Sequence, residues 1–192
     1  SFAVNPDAFD PYYHYRFAID VGLSAYAAPL GMLEAGADKF AGTVPTIMKL
    51  NSSNSLKTKN DSPNQAITGS VKEALRLGCS GVGFTIYPGS SNFNMMLEQL
   101  SEITSEAKAS GLVVVVWSYP RGEAISKAGE NAIDIVAYGA HMAALAGAHI
   151  IKVKIPSDHI ELESNKKIYY ENNIDTSSIE ARVAHIKNCC FG

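Results

Sequence analysis

The chain has 192 residues, a formal net charge of −3, and 18% charged against 46% hydrophobic residues. That length holds one domain with a real core, and so little charge leaves much of the chain buried or packed in an assembly. Mild acidity without a basic run argues against a nucleic-acid surface, and no apolar segment reaches membrane-spanning length. Leu112–Trp117 is far too short. No signal-peptide pattern opens the chain, and Cys79, Cys189 and Cys190 make a poor disulfide framework without metal-ligand spacing. Both features fit a reducing cytoplasm.

Residues 1–11 read as irregular, with Asn5-Pro6-Asp7 and Asp10-Pro11 as turn formers. Asp10 as N-cap, Pro11 at the first position and Gly22 as the stop predict a helix over Pro11–Val21. A short strand over Leu23–Pro29 and a helix over Leu30–Ala35 follow. Thr46–Asn51 reads as a strand and polar Ser52–Ser62 as a loop. Ser70-Val-Lys-Glu73 is a capping box opening a helix that stops at Gly78. Gly81–Tyr87 is a strand ended by Pro88-Gly89. Asn92 is a cap for a helix in which Met96, Leu100, Ile103 and Ala107 recur at helical spacing, up to Gly111. Leu112–Tyr119 is a continuous apolar strand, and Ile133–Ala146 a helix stopped by Gly147. Ile150–Ile155 is strongly β-forming. Ser157–Asp175 reads as a long polar connection, and Thr176–Cys190 as a last amphipathic helix with a capping box from Thr176 or Ser177 to Glu180.

Strict alternation of helices with Val/Ile-rich strands means a parallel sheet with right-handed crossovers. An open doubly wound sheet and a (β/α)8 TIM barrel both qualify. Gly81-Val-Gly83 lies within a strand and lacks the third glycine of a dinucleotide fingerprint, so the open sheet loses its main support. The barrel accounts for polar or aromatic pairs at strand ends, where barrel enzymes keep their chemistry: Lys49 and Asn51, Thr85 and Tyr87, Trp117 and Tyr119, Lys152 and Lys154. Such a barrel takes about 250 residues, and only five strands are legible. The expectation is one barrel domain over residues 1–192, a fragment lacking the first strand and the last two.

The last strand carries the strongest chemical signal. Side chains alternate, so Ile151, Val153 and Ile155 share one face while Ile150, Lys152 and Lys154 share the other. A single strand lysine is more often a paired structural residue. Two at i and i+2, roughly 6–7 Å apart by strand rise, are expected to be held from water and to depress each other's pKa. An amine prepared in that way attacks carbonyls and forms Schiff bases. Lys152 or Lys154 could serve. Tyr119, at the neighbouring strand end, is a candidate proton carrier, although a lone rim tyrosine is usually only hydrogen-bonded. Trp117 doubles as a core filler, and Arg121 is a candidate phosphate clamp. Pro88-Gly89-Ser90-Ser91 offers backbone N–H groups to an anion, a weak signal. None of the five histidines sits at a strand end, so a metal-dependent reading has poor support.

Thr85-Ile-Tyr-Pro-Gly-Ser90, Trp117-Ser-Tyr-Pro-Arg-Gly122, Ala148-His-Ile-Ile-Lys-Val-Lys154 and Met48-Lys-Leu-Asn51 resemble the archaeal-type (DhnA-like) class I fructose-bisphosphate aldolases, in the bacterial branch. The resemblance runs along essentially the whole chain, and Trp-Ser-Tyr-Pro-Arg-Gly is its most specific part. It implies a homo-oligomeric, cytoplasmic (β/α)8 barrel that reversibly cleaves fructose 1,6-bisphosphate to dihydroxyacetone phosphate and glyceraldehyde 3-phosphate. No metal and no cofactor are implied beyond the covalent Schiff base. It further implies that Lys152 is the Schiff-base lysine and Tyr119 the proton-transfer residue, with Trp117, Arg121 and Lys154 contacting substrate. An acidic residue of the first strand and a glycine-rich phosphate site of the last two would then fall before residue 1 and after Gly192. The rival readings are another Schiff-base aldolase or transaldolase-like enzyme, a non-catalytic sugar-phosphate-binding barrel fragment, and a metal-dependent aldolase.

Overall fold

A computed structural model describes residues 5–56 and 61–191. Its strands are β1 (Tyr26–Pro29), β2 (Thr46–Lys49), β3 (Asn51–Ser52), β4 (Ala66–Ile67), β5 (Gly81–Ile86), β6 (Val113–Ser118) and β7 (Ile150–Lys152). Between them run α1 (Pro11–Asp20), α2 (Leu30–Phe40), α3 (Val71–Arg76), α4 (Phe93–Ala109), α5 (Ile133–Leu145), α6 (Glu163–Glu171) and α7 (Ile179–Cys189). β3 and β4 form a small antiparallel pair, while the other five strands lie in the order β1-β2-β5-β6-β7, all parallel. That order never reverses, so the sheet has no switch point of the doubly wound kind. Among the described residues it does not close, and β1 and β7 are both edges.

One sheet face is apolar and covered. Met48, Val82, Phe84, Ile86, Val114 and Val116 alternate onto it and are fully buried against Leu33 of α2, Ala74 of α3, Met96 and Leu100 of α4, and Ala143 of α5. Burying such a side chain contributes about 1.5–3 kcal/mol, so this face supplies much of the stability. A second cluster joins α5 to α7 through Ile133, Val136, Ala137, Ala140 and Ile186.

Several element bounds differ from expectation for visible reasons. The strand expected from Leu23 starts at Tyr26, because Leu23 and Gly22 close α1 by donating N–H groups to Ala18 and Ile19, with Gly22 at φ +67°. α2 runs past Gly36 to Phe40, since Gly36 seats the Tyr15 ring of α1, where a Cβ would come within 2.3 Å. Within the expected irregular start, Pro6–Phe9 forms a short 3₁₀ helix, and residues 1–4 lie outside the described residues. Asn51–Ser52 pairs with Ala66–Ile67, and residues 57–60 of the polar loop also lie outside the described residues. The Ser70 hydroxyl caps α3 by accepting from Glu73 N at 3.2 Å, whereas Asn92 makes no side-chain cap on α4.

The last third departs most. β7 stops at Lys152, not Ile155, because its partner β6 stops at Ser118 and Pro120 beyond it lacks an N–H. The long connection contains α6, which buries no residue of its own. α6 is anchored instead by Asp134 of α5, whose carboxylate accepts from Glu161 N, Leu162 N and Asn165 Nδ2, each at 3.0 Å. The cap of α7 is Ser178, accepting from Ala181 N, rather than Thr176 or Ser177.

Candidate active site

The face opposite the helices carries the polar strand-end residues. In parallel ladders, residues in register point the same way. Lys49, Gly83, Val115 and Ile150 therefore form one layer, and Thr85, Trp117 and Lys152 the next layer toward the strands' carboxyl ends. Fully buried Asn51 ties β3 to that upper layer, its side-chain amide donating to Thr85 O at 2.8 Å and accepting from Thr85 N at 2.9 Å. Gly83 has a steric reason to be glycine. A Cβ there would lie 2.0 Å from Trp117 Cζ3, so the indole rests where a side chain would stand.

Trp117, Tyr119 and Lys152 come together on this face. Trp117 and Lys152 are register partners, and Lys152 Nζ lies 5.9 Å from the centre of the Tyr119 ring. The expectation of a lysine held from water is not met in this structure, where Lys152 is exposed on the edge strand and nothing flanks β7 on its outer side among the described residues. Nor does Lys154 stand as a second bare ammonium. It is ion-paired with Glu130 at 3.0 Å, which also holds Lys127 at 2.9 Å. Burial works against the Glu130 carboxylate, but the two lysines outweigh it and keep its pKa below the usual value.

Arg121 is exposed, with its guanidinium 5.8 Å from the centre of the Tyr87 ring. Its backbone belongs to a tight junction of two rim loops, in which Arg121 N donates to Pro88 O at 2.9 Å and Ala124 N to Gly89 O at 3.0 Å. Gly122 makes the junction possible, since a Cβ at its φ of +133° would lie 2.2 Å from Gly89 O. The proposed anion loop at Pro88–Ser91 does hold a carboxylate, and it is the chain's own. Ser91 N and Ser62 Oγ donate to Glu123 at 2.9 Å. The bonds from Ser91, with help from Ser62, pull the Glu123 pKa down to about 2.

Burial acts on a further lysine, Lys49. Desolvation lowers its pKa to about 8. Its ammonium donates to the Asn51 carbonyl and, at 3.3 Å, to Gln65 Oε1, while Gln65 Nε2 donates to Tyr87 Oη at 2.6 Å. Sequence reasoning placed Lys49 at a strand end and gave it no role; its i, i+2 spacing with Asn51 was the available signal. Glu123, Glu130 and Asp134 sit in connections and a helix turn, where nothing local marks them. Among the described residues, no three His, Cys, Asp or Glu side chains are grouped to hold a metal. No helix among them is long and apolar enough to cross a membrane.

The architecture is that of an α/β protein with a singly wound parallel sheet, whose layered polar face sets a lysine beside a tyrosine and a tryptophan. Residues 4–187 match the family model described as DeoC/LacD family aldolase, and the chain belongs to that family. It is 42% identical over 157 residues to the class 1 fructose-bisphosphate aldolase of Thermoproteus tenax, covering 82% of this chain and 57% of that protein. With the fructose-bisphosphate aldolase/6-deoxy-5-ketofructose 1-phosphate synthase of Methanocaldococcus jannaschii it shares 32% over 155 residues, 78% of this chain and 49% of that one. The chain thus spans about half the length of these relatives. Among solved structures, an archaeal fructose 1,6-bisphosphate aldolase matches with a TM-score of 0.71 and 30% identity, covering all of this chain and 88% of that one. Another, with its catalytic lysine covalently bound to the carbinolamine intermediate of the substrate, matches with a TM-score of 0.70 and 29% identity over 98% of this chain and 86% of that one.

Proposed function

We propose that the chain is part of a class I fructose-1,6-bisphosphate aldolase, an aldehyde-lyase that works through a lysine Schiff base without a metal. The observation that carries this reading is Lys152 on the polar sheet face, in register with Trp117 and beside Tyr119, within a chain of the aldolase family. In the proposed reaction Lys152 Nζ adds to the C2 ketone, and loss of water gives the iminium. Tyr119, as the phenolate, accepts the C4-hydroxyl proton, the C3–C4 bonding pair moves into the iminium, and glyceraldehyde 3-phosphate leaves. Protonation of the resulting enamine at C3 and hydrolysis release dihydroxyacetone phosphate. Trp117 walls the site, and Arg121 lies on the rim in reach of an anionic group. Lys154, held by Glu130, contributes positive charge beside the amine.

The five strands are read as five of a (β/α)8 barrel, an assignment supported by their one-way order and by the likeness to the archaeal enzymes. Closure of such a barrel would place Lys152 in an enclosed interior, as the amine chemistry needs. We further assign a homo-oligomer acting in the cytoplasm. The test is borohydride reduction in the presence of dihydroxyacetone phosphate, followed by peptide mass mapping. Covalent mass at Lys152 is expected, and labelling at another lysine refutes the assignment. A second reading, a related Schiff-base reaction on the same lysine, is favoured by the likeness to the bifunctional Methanocaldococcus protein. Turnover of fructose 1,6-bisphosphate well above other ketose phosphates decides against it.

A further inference from the structure

The entry to β7 is held by a side chain. Gly147, at φ +88°, turns the chain out of α5, while Gly147 N and Ala148 N still donate to Ala144 O and Ala143 O of that helix. The regular ladder to β6 begins at Ile150, opposite Val115. One residue earlier, His149 N donates to Val114 O at 2.9 Å. Val114 N answers to the imidazole, meeting His149 Nδ1 at 3.0 Å. The ring thus does for β6 what a strand carbonyl does elsewhere in the ladder.

This rung has a chemical condition. A backbone N–H can only donate, so Nδ1 must offer a lone pair and the ring proton must sit on Nε2. An imidazolium has no lone pair on either nitrogen. Protonation sets two N–H groups against each other and strands the donor of Val114, a fully buried residue. The ring itself is open to protons from solvent, since His149 is exposed. Lys108 of α4, Gly111 and Leu112 of the following turn, and Val113 of β6 wall the cleft beside it. Lys108 is the one charged group among them, and an ammonium does not titrate near neutrality. The residues leading in from α5, Ala146, Gly147 and Ala148, carry no charge. A change in this contact between about pH 5 and 8 therefore belongs to the ring.

Lys152 stands at the other end of the same short strand. β7 pairs with β6 through Ile150, Ile151 and Lys152, and among the described residues no strand lies on its outer side. The first rung is therefore one of few bonds that fix the amine against Trp117 and Tyr119. We propose that His149 is a positioning residue for Lys152: the neutral imidazole anchors the start of β7, and its protonation loosens the strand that carries the amine. The proposal rests on the aldolase reading above, in which Lys152 forms the imine. The anchoring is complete above the range in which an imidazole titrates and fades as pH falls through about 6.5.

The test compares the full chain with His149→Asn, whose side-chain oxygen falls near Nδ1 and accepts at any pH, and with His149→Phe, which cannot accept. Two quantities are followed from pH 7.5 to 5.5: protection of the Val114 amide from hydrogen exchange, corrected for the intrinsic rate, and the rate at which dihydroxyacetone phosphate and cyanoborohydride modify Lys152. Wild type is expected to lose about fivefold in Val114 protection, the scale of one hydrogen bond. His149→Asn should stay level, and His149→Phe should be low throughout. The wild-type modification rate divided by that of His149→Asn, a ratio that cancels the titration of the amine, should fall by a similar factor. Level Val114 protection in wild type overturns the proposal, and so does a ratio that holds steady while Val114 opens, the mark of a merely structural rung. If no chain is modified at Lys152, the aldolase reading falls and the positioning role with it, whatever Val114 does. Should His149→Asn not fold, wild type decides: Val114 must open as pH falls while the amides of central β5 keep their protection, and opening of both together or of neither rejects the role.

Discussion

The two faces of the sheet are made by the same strands, yet they carry different work. On β5 and β6 the covered face reads Val82, Phe84, Ile86, Val114 and Val116, all fully buried, while the other reads Gly83, Thr85, Val115 and Trp117. A side-chain period of two lets one short segment hold the fold with every second residue and present chemistry with the rest. The covered face is packed and tolerates little. The opposite face is also packed over its middle, where Thr85 and Val115 are buried and the Asn51 side chain is bonded to Thr85; its exposed edge at Lys152 can vary at small cost to stability.

That contrast can be tested by substitution. The largest effect is expected from Lys152→Met, which should abolish the borohydride adduct and lower fructose-bisphosphate cleavage by about 1000-fold or more. Because Lys152 is exposed, its unfolding free energy should stay within about 0.5 kcal/mol of wild type. Phe84→Ala, on the other face and two strands away, should do the reverse in kind, lowering stability by about 3–5 kcal/mol in denaturant titrations. A Lys152→Met chain that unfolds as easily as Phe84→Ala would end the division of labour. Gly83→Ala lies between: its methyl would meet the Trp117 ring, with an expected loss of about 1–3 kcal/mol and a displaced indole. The smallest effect concerns the rim. Glu123, with its pKa pulled down to about 2 from 4.5 by Ser91 and Ser62, adds stability that is complete above the unfolded value and fades as pH falls from about 4.5 toward 2. Glu123→Gln should flatten the loss of wild-type stability between those limits, and a variant with an unaltered acid limb would remove Glu123 from the junction.

Much of the alternation was legible because β5, β6 and β7 are rich in Val and Ile, with glycine or proline close to their ends. The grouping of Trp117, Tyr119 and Lys152 on one face followed from the same period. What could not be read depends on distant partners. β7 ends early because β6 does, and α6 forms in a polar stretch because Asp134, a whole helix earlier in the chain, accepts three bonds from its start. The Glu130 partner of Lys154 lies 24 residues away in sequence. Lys49 was visible as a strand-end residue, but its lack of a carboxylate only emerges once every neighbour is in place.

Gly83 also has an optical consequence. Trp117 is the single tryptophan of the chain, and the missing side chain at Gly83 gives its ring a fixed seat in the layer below Lys152. Selective excitation of tryptophan therefore reports from one place only. Ligand arriving at the amine, or an iminium forming there, should alter emission intensity without any attached dye, and the progress of a single turnover could be followed in the protein's own light.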